Sequence, residues 1–560
     1  MTTYILGISA HYHESSAVLL KDGEMIAAVQ EERFTRRKHD KAFPVNSIEY
    51  CLSLEGIGVE DLDLVAVCDL PSEALGLEEK DVREKTGFKG DILFYEHDLC
   101  HSAAAFYPSP FSEAAVLTVN SAVRKVSSSI GEGRGRDLTV MGRSFFPDSI
   151  GLFYSAFTHY CGFKPGSGEY KLMGLAAYGD SRYADLIREK AAVFCGVGDI
   201  KLNFDYFEPG AKYMFLNEDF SSLAGFPPRE PETPLKKEYA DLARSVQLIT
   251  EEVILKKAAA LKRDTGLPYL CMSGAMALNC AANGRILREG GFEDIWIQPA
   301  SNDAGASLGA AFLAWHGHMK KERPVTGKSD KQKGSFLGPG FTPEEIGDFL
   351  EKEGIAHERP GKEELAGKVA RLIAGGNIIG WFRGRMEFGP RALGARSILA
   401  DPRSNRIHAF INSKVKFREP FRPFAPSVMA EKAGEYFDLD RESPYMLFAV
   451  PVALSKRLCR ECPRDPESRE EAEPCSEIPA VTHVDFSSRV QTVSRKDDPV
   501  FHELLKRFYE DHGCPVLVNT SFNVRGEPIV CTPKDAYECF MKTGMDYLVM
   551  GDYVVSKKEK

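Results

Sequence analysis

Two histidines four residues apart are the first candidate for chemistry in the chain. Residues 96–106 read EHDLCHSAAAF, and His97 and His101 share one face if the segment is helical, because positions i and i+4 are neighbours. Two imidazoles in this arrangement can bind one metal ion. The run of alanines also suits a helix that packs closely against a neighbour, with two histidines near each other by coincidence. The spacing alone leaves both interpretations open.

Three cysteines form a second candidate metal site. Cys459 and Cys462 form a CxxC pair, and Cys475 follows in the same highly charged segment. Zinc in structural sites takes four ligands, and His483 is the nearby candidate for the fourth. Three thiols in a surface insertion can also be incidental, so the sequence leaves zinc binding open here.

Basic residues are concentrated in the segments GRMEFGPRALGARSILADPR and INSKVKFREPFRPFAPSVM, among glycine and proline turns. They are Arg385, Arg391, Arg396, Arg403, Arg406, Lys414, Lys416, Arg418 and Arg422. Guanidinium groups bind phosphate through paired hydrogen bonds and ammonium groups act as point charges, so the stretch favours a small, dense anion. The alternative is a solvated basic face with ion pairs to Glu387, Asp401 and Glu419.

Length and composition describe an ordinary globular chain. Its 560 residues are too many for one core, and its hydrophobic fraction of 43% and charged fraction of 27% are average. The net charge of −10 argues against a broad nucleic-acid surface. No stretch approaches the ~20 apolar residues of a membrane span, and the N-terminal segment lacks the basic region of a signal peptide. Thirteen dispersed cysteines favour reduced thiols, so we expect a cytoplasmic protein without membrane or nucleic-acid partners.

The elements that must position these residues begin with a strand and a hairpin. YILGISA predicts a strand, and SAVLLKDGEMIAAVQEE predicts two strands joined by an Asp-Gly turn. This is the start expected of an actin-like, ribonuclease-H-type ATPase fold. The segment EAAVLTVNSAVRKVSSSIGEG repeats the pattern weakly, which suggests a pseudo-repeat.

Two later segments predict a strand, a turn and a helix in that order. They are LPYLCMSGAMALNCAANGRIL and DIWIQPASNDAGASLGAAFLAWHG, and such turns let backbone amides at a helix N-terminus bind phosphate. The lysine-rich, apolar-poor stretch 318–335 predicts a linker. We therefore predict two domains, 1–334 and 335–560.

Taken in order, these segments resemble the O-carbamoyltransferases of nodulation-factor and antibiotic biosynthesis. The resemblance extends over nearly the whole chain and includes HYHESSAVLL, GEYKLMGLAAYGD, THVDFSSRVQTV and NTSFNVRGEPIVCTPKDA. It implies an α/β and α+β fold, with an N-terminal actin-like (Kae1-like) carbamoyl-transfer domain and a C-terminal YrdC-like α/β domain that forms carbamoyl adenylate. It implies as substrates ATP with Mg²⁺, carbamoyl phosphate and a hydroxyl-bearing small molecule, such as a sugar or secondary metabolite. It also makes a homodimer plausible.

The resemblance assigns roles to individual residues. His13 is the candidate catalytic base for the acceptor hydroxyl, since histidine titrates near neutrality. His97, His101 and Asp303 match the family's metal ligands, which suit Fe²⁺ or a similar divalent ion. The positions expected to bind carbamoyl phosphate and nucleotide in the C-terminal domain are Lys416, Arg418, Arg422, Arg391, Arg396, Thr520, Ser521, Asn523 and Arg525. The positions expected to bind nucleotide in the N-terminal domain are Lys171, Gly174, Ser273, Gly274 and Asn279.

Several residues depart from the family's pattern at turns expected to face phosphate. Asn120 stands where the family has an aspartate ligand, and an amide is a poorer metal ligand than a carboxylate. The other replacements, most of them of glycines, are Ser121, Val123, Arg124, Ala275, Ala395 and Phe486. The alternative to an active enzyme is therefore a non-catalytic or regulatory nucleotide-binding homologue with a degenerate N-terminal site.

Overall fold

The chain folds into two compact units. The second unit consists mainly of the C-terminal part of the chain but also includes a short segment near the N-terminus. The computed structural model describes residues 2–71, 77–121, 125–196, 198–210, 212–325, 327, 329–466 and 473–557. The first unit comprises Met1–Glu31 and His39–Gln332. The second comprises Glu32–Lys38 and Lys333–Lys560. The sequence did not indicate that Glu32–Lys38 belongs with the C-terminal half.

Strands and helices alternate along most of the described chain. The strands are β1 (Tyr4–Ser9), β2 (Ser16–Lys21), β3 (Glu24–Gln30), β4 (Leu64–Cys68), β5 (Asp91–Tyr95), β6 (Glu113–Val119), β7 (Val126–Arg134), β8 (Asp137–Phe145), β9 (Ala192–Cys195), β10 (Asp199–Leu202), β11 (Phe207–Pro209), β12 (Met214–Leu216), β13 (Tyr269–Ser273), β14 (Asp294–Ile297), β15 (Ile379–Phe382), β16 (Arg396–Ala400), β17 (Ala425–Met429), β18 (Ala449–Pro451), β19 (Ser487–Arg489), β20 (Gln491–Val493), β21 (Val516–Ser521), β22 (Tyr547–Met550) and β23 (Tyr553–Ser556). The helices are α1 (Glu32–Thr35), α2 (Val45–Glu55), α3 (Glu79–Thr86), α4 (His97–Phe106), α5 (Ile150–Tyr160), α6 (Glu169–Ala176), α7 (Ala184–Leu186), α8 (Glu218–Ala224), α9 (Lys237–Thr265), α10 (Cys280–Glu289), α11 (Ala304–Phe312), α12 (Pro343–Lys352), α13 (Lys362–Ala374), α14 (Asn405–Phe410), α15 (Ala433–Tyr436), α16 (Pro499–His512) and α17 (Pro533–Lys542). No helix found in these residues combines the length and apolar character needed to cross a membrane.

The first unit contains two five-stranded sheets of the same topology. One has the order β3-β2-β1-β4-β5, with β1, β2 and β3 antiparallel and β1, β4 and β5 parallel. The other has the order β8-β7-β6-β13-β14 with the same alternation of directions. Two copies of this arrangement make up the actin-like fold that the resemblance implies. The weak sequence echo after residue 113 is therefore a structural repeat.

Helices α4 and α11 pack against each other and exchange sheets. Helix α4 follows β5 but contacts β6 and β13, whereas α11 follows β14 but contacts β1, β2 and β4. Small residues allow this packing: a Cβ atom at Gly309 would collide with the main-chain carbonyl of Cys100, and one at Gly7 with that of Ser307. The alanine run of α4 thus serves close packing, as the simpler interpretation expects. The same packing brings the start of α4 to the start of α11.

The second unit is an α/β domain built on one mixed sheet of seven strands. Their order is β20-β17-β21-β16-β15-β22-β23. The pairs β15–β16, β16–β21, β17–β21 and β22–β23 are antiparallel, whereas β15–β22 and β17–β20 are parallel. Helix α16 packs on α13 and contacts β17 and β21, and α17 contacts β15 and β22. The mixed α/β architecture agrees with the fold class predicted for the C-terminal half.

We call the segment Glu32–Lys38, which belongs to the second unit, the strap. Arg36 of the strap donates hydrogen bonds to the carbonyls of Ile529 (2.7 Å) and Pro528 (3.0 Å). Phe34 packs against a buried cluster of Met386, Ile529 and Cys531. The strap therefore supplies the second unit with a side-chain donor for two main-chain carbonyls and with apolar surface.

Candidate functional site

His97, His101 and Asp303 converge in the first unit. His97 and His101 occupy the first turn and a half of α4, and Asp303 immediately precedes α11. The Nε2 atoms of His97 and His101 lie 3.3 and 3.9 Å from Oδ1 of Asp303. Ligand atoms of all three residues lie within 4.8 Å of one another. The structure thus brings together the three residues that the sequence suggested as metal ligands.

The environment of His101 fits a metal ligand. Its Nε2 atom is buried and has no hydrogen-bond partner among the described residues. Its Nδ1 atom lies 3.1 Å from the hydroxyl of Ser273. A proton on Nδ1 can be held by this hydroxyl, which leaves the lone pair of Nε2 directed at the metal position. Two imidazoles and a carboxylate oxygen are a donor set that suits iron and similar divalent ions.

His13 is tied to the same group of residues through its backbone. It lies in the loop between β1 and β2, and its main-chain N–H donates to Oδ2 of Asp303 (2.9 Å). The other oxygen of Asp303 faces the two histidines of α4. One carboxylate therefore orients the loop of the candidate base and completes the candidate metal site.

Glu14 and His39 support His13, and the sequence analysis did not single them out. Nδ1 of His39 lies 2.9 Å from Oε1 of Glu14, and the rings of His39 and His13 are 4.1 Å apart between centroids. The buried carboxylate of Glu14 also accepts hydrogen bonds from Asn302 and Gln30. The signal was present in HYHESS, where a carboxylate directly follows the candidate base, but the partner histidine is distant in sequence.

Two of the predicted nucleotide-binding positions in the first unit have defined structural roles. Gly274 follows β13 with φ +91°, and a Cβ atom there would collide with the backbone of Val119, so only glycine fits. Asn279 caps α10 through Oδ1 and exchanges hydrogen bonds with the side chain of Gln247. The Asn279 amide is therefore engaged by the protein in this state, and nucleotide binding by either residue stays a prediction.

The remaining predicted nucleotide-binding residues lie at α6 and at the end of β13. Lys171 and Gly174 are on α6, with the ammonium of Lys171 5.6 Å from the ring centroid of Phe163. Ser273 ends β13 and contacts His101, as described above. Its position next to the metal candidates was not apparent from the sequence.

Asn120 lies at the end of β6, where the family pattern has an aspartate. Its side chain is 4% exposed, and its Nδ2 atom has no hydrogen-bond partner within the described part of the chain. A buried amide without a partner is costly, typically by about 1–3 kcal/mol. Among the described residues, the Asn120 Nδ2 is therefore an unsatisfied buried donor. Val123 and Arg124, two further departures, lie outside the described residues.

The other departures differ in their local conformation. Phe486, which replaces a glycine, adopts φ +61° in a turn closed by the hydrogen bond from its N–H to the His483 carbonyl. The backbone therefore keeps a conformation that favours glycine although the side chain has changed. Ala395 is buried, with its N–H donating to Glu387, and Ala275 begins a short helical turn.

Lys416 lies at the centre of the candidate anion site in the second unit. It ends a π-helical segment, Ile411–Lys416, and is 5% exposed. Its ammonium donates to the carbonyls of Ser521 (2.7 Å) and Asn523 (2.8 Å) and to their side-chain oxygens, Oγ (3.2 Å) and Oδ1 (2.7 Å). Two motifs that are distant in sequence, KFREPFRP and NTSFNVRG, are therefore joined by one side chain.

Several cations surround Lys416. Burial lowers its pKa well below the usual range, and the positive charges of Arg418, Arg422 and Lys38 lower it further. The neighbouring Cys539 thiol acts in the opposite direction and raises the pKa. Like charges gathered at a buried position create a potential that an anion would relieve.

The arginines near this site differ in how they are held. Arg418 donates to Oδ1 of Asn412 (2.7 Å) and stacks 4.4 Å from the Phe424 ring centroid. Glu419 pairs with Arg422 (3.5 Å) and Arg525 (3.6 Å). Thr520 and Ser521 end β21, next to Lys416. The structure therefore brings most of the predicted C-terminal residues to one region.

Arg391 lies on the loop between β15 and β16, and Arg396 is the first residue of β16. Arg396 is fully buried, and its guanidinium donates to the carbonyls of Arg383, Gly384, Ala395 and Pro339. These contacts give Arg396 a structural role in this state. Arg391 is half-buried within the loop. Ligand binding by either arginine stays a prediction.

Family models of the carbamoyltransferases match both parts of the chain. The family model described as the carbamoyltransferase N-terminus matches residues 4–75 and 73–312, and the carbamoyltransferase C-terminus matches 370–557. An uncharacterised protein of Synechocystis is 47% identical over 99% of this chain and 97% of its own length.

Two relatives carry informative names. The nodulation protein NolNO of Sinorhizobium fredii is 35% identical over 98% of this chain and 79% of its own length. The 3'-hydroxymethylcephem-O-carbamoyltransferase of Amycolatopsis lactamdurans is 27% identical over 96% of this chain and 97% of its own length. The two relatives cover 98% and 96% of this chain, and the two family models match residues within 4–312 and 370–557. The chain therefore belongs to the carbamoyltransferase family and is an enzyme of this kind.

Proposed function

We propose that the protein is an ATP-dependent O-carbamoyltransferase that uses carbamoyl phosphate and transfers the carbamoyl group to a hydroxyl of a small molecule. The second unit, the predicted YrdC-like domain, would form carbamoyl adenylate. The first unit would perform the transfer. The similarity to a cephem O-carbamoyltransferase supports a hydroxyl acceptor of the sugar or secondary-metabolite class.

The activation step consumes carbamoyl phosphate and ATP. Hydrolysis of carbamoyl phosphate gives carbamate and phosphate, and a carbamate oxygen then attacks the α-phosphate of ATP. The new P–O bond gives carbamoyl adenylate, and the bond to the β-phosphate breaks to release pyrophosphate. Fixed cations stabilise the negative charge that develops on phosphate in such a step. In this proposal Arg418, Arg422 and Lys416 would supply these cations.

The transfer step forms an oxygen–carbon bond. The acceptor hydroxyl oxygen attacks the carbamoyl carbon, the bond from that carbon to the AMP phosphate oxygen breaks, and His13 accepts the hydroxyl proton. His97, His101 and Asp303 would hold a divalent ion, which supplies positive charge for phosphate oxygens. Asp303 keeps the His13 loop in place through its hydrogen bond to the His13 N–H.

The observation that carries this proposal is the joining of the two basic motifs: the Lys416 ammonium contacts the loop containing Ser521 and Asn523, and Glu419 pairs with both Arg422 and Arg525. An exposed basic face, the alternative, would not bury an ammonium in a cage of oxygens beside other cations. The arrangement suits an anionic substrate with several phosphate oxygens.

Pyrophosphate release tests the activation step. Purified protein is given ATP, Mg²⁺ and carbamoyl phosphate, with each omitted in turn. We expect release that requires carbamoyl phosphate and falls by about 100-fold or more in Arg418→Ala and Lys416→Ala. Arg507→Ala is the matched control, because it removes an exposed guanidinium of the same unit that pairs with Glu503.

Lys416→Ala also removes four hydrogen bonds to the loop, so its thermal midpoint is measured alongside activity. Pyrophosphate release that is independent of carbamoyl phosphate, or unchanged in folded Arg418→Ala protein, would contradict the proposed activation.

The variant His13→Ala tests the transfer step separately. It should retain pyrophosphate release but lose incorporation of labelled carbamoyl phosphate into a panel of sugars and hydroxylated secondary metabolites.

A further inference from the structure

Three cysteine side chains meet in the second unit, away from the residues assigned to carbamoyl chemistry. The Sγ atoms of Cys459, Cys462 and Cys475 all lie within 4.8 Å of one another, and none of the three is joined in a disulfide. In tetrahedral coordination, Zn–S bonds of about 2.3 Å place thiolates about 3.8 Å apart. The group is therefore compatible with the spacing of a zinc site.

Backbone pairing holds the third cysteine beside the CxxC pair. Arg457 and Ser476 form an antiparallel bridge, and the Leu458 N–H donates to the Cys475 carbonyl (2.9 Å). These contacts place Cys475 next to Cys459, whose Sγ lies 3.9 Å from the Cys475 carbonyl. The convergence thus results from the fold and does not depend on sequence spacing alone.

The segment around the cysteines has little apolar burial to hold it. Leu454 and Leu458 are 79% and 62% exposed, whereas the side chain of Cys462 is buried. Within residues 454–466, the described side chains otherwise lie mostly at the surface. A small lobe that exposes its leucines and buries few apolar side chains needs another source of stability, and a structural metal is a common one.

We propose that Cys459, Cys462 and Cys475 bind one zinc ion as thiolates. Binding releases three thiol protons and links Cys475 to the Cys459–Cys462 pair. His483, the fourth ligand suggested by sequence, does not belong to this group. The described residues supply three ligands, and the fourth tetrahedral position is left to a ligand outside that set. The proposal is independent of the proposed carbamoyl transfer.

Zinc content of the full-length protein tests the site. Protein purified from zinc-supplemented medium is analysed by elemental mass spectrometry for zinc, copper and iron together. We expect Cys459→Ser and Cys475→Ser each to lose one zinc per chain relative to the unmodified protein. Both positions are half-exposed, so a hydroxyl is tolerated there better than at Cys462. Cys195→Ser is the matched control, since it removes a half-exposed thiol from the first unit and should leave zinc unchanged.

Cobalt substitution tests the ligands without any variant. Cobalt bound by thiolates shows intense charge-transfer absorption, and the candidate site of His97, His101 and Asp303 contains no thiolate. We expect zinc-depleted protein to gain this absorption with one equivalent of Co²⁺ and to lose it when Zn²⁺ is added. Equal zinc in the variants and the control would overturn the proposal. So would cobalt binding without thiolate absorption, a disulfide within the trio, or copper or iron in place of zinc.

Discussion

Nε2 of His97 lies 3.3 Å from Oδ1 of Asp303, although 206 residues separate them in the chain. The two side chains meet because α4 and α11 pack through small residues. Any change that separates these helices, such as a side chain at Gly309, would disperse the candidate metal ligands together with the loop of His13. The geometry of the site therefore depends on helix packing as much as on the ligands.

Ser273 should influence metal affinity through His101. Removing its hydroxyl in Ser273→Ala leaves Nδ1 of His101 without the oxygen 3.1 Å away. Partners that orient a ligating histidine typically contribute 10–100-fold to affinity, and we expect about that loss here. Anaerobic calorimetric titration with Fe²⁺ measures it. Ser307→Ala, which removes another buried hydroxyl of the first unit, should keep the original affinity. Equal affinities in the two variants would contradict this role.

Asn120→Asp should strengthen metal binding and lower the thermal stability of the metal-free protein. A carboxylate is a better ligand than an amide for a divalent ion, and the Asn120 Nδ2 has no described hydrogen-bond partner to lose. Without metal, a buried carboxylate is costly. The thermal midpoint should therefore fall in chelator and rise with added Fe²⁺ by more than in the unmodified protein. If Fe²⁺ shifts both midpoints equally, residue 120 does not face the metal.

Asp498 should make stability depend on pH. It caps α16 by accepting a hydrogen bond from the Phe501 N–H (2.9 Å), and burial raises its pKa from 3.8 to about 6. Between these values the folded state holds a proton that the unfolded state has lost. Stability therefore falls as pH rises through this window and stays lower above pH 6.

Asp498→Asn keeps the cap but cannot ionise. We expect its free energy of unfolding to exceed that of the unmodified protein by about 1–3 kcal/mol at pH 8, and the difference to vanish below pH 4. Denaturant unfolding at several pH values measures this. Asp497→Asn, which changes an exposed neighbour, should show no such trend. A gain in Asp498→Asn that is the same at every pH would point to packing and not to ionisation.

Local patterns predicted much of the first unit. The strand–turn–strand segments gave β1 to β3, and the weak echo after residue 113 gave β6 and β7. The two interpretations of EHDLCHSAAAF, a close-packing helix and a candidate metal site, are compatible. Helix α4 packs closely against α11, and that packing positions His97 and His101. Periodicity and residue type are local properties, and these features are local.

Long-range contacts are what the sequence did not predict. Residue types do not reveal that the Arg396 guanidinium is satisfied by main-chain carbonyls, or that Ser273 contacts His101. The pairing of Glu14 with His39 depends on how two loops meet. The residue type at position 486 also gave no sign that Phe486 adopts a positive φ, a conformation that favours glycine.

A C-terminal fragment that begins at Lys333 should be less stable than the same unit in the full chain. It lacks Phe34, which covers a buried cluster, and Arg36, which donates to two carbonyls and pairs with Asp535 (3.6 Å). We expect a lower thermal midpoint, restored in part by a synthetic peptide spanning residues 31–39. The same peptide with Phe34→Ala and Arg36→Ala should restore nothing. A fragment as stable as the unit in the full chain would show that the strap contributes little.

The strap also affects the design of chimeras between this chain and a relative. A chimera joined only between residues 332 and 333 would combine the strap of one parent with the rest of the second unit of another. Residues 32–38 should therefore be inherited with the C-terminal half, and a gene fusion that respects this needs three junctions. Insertions within residues 32–38 would then impair the second unit, although that unit is encoded almost entirely by the other end of the gene.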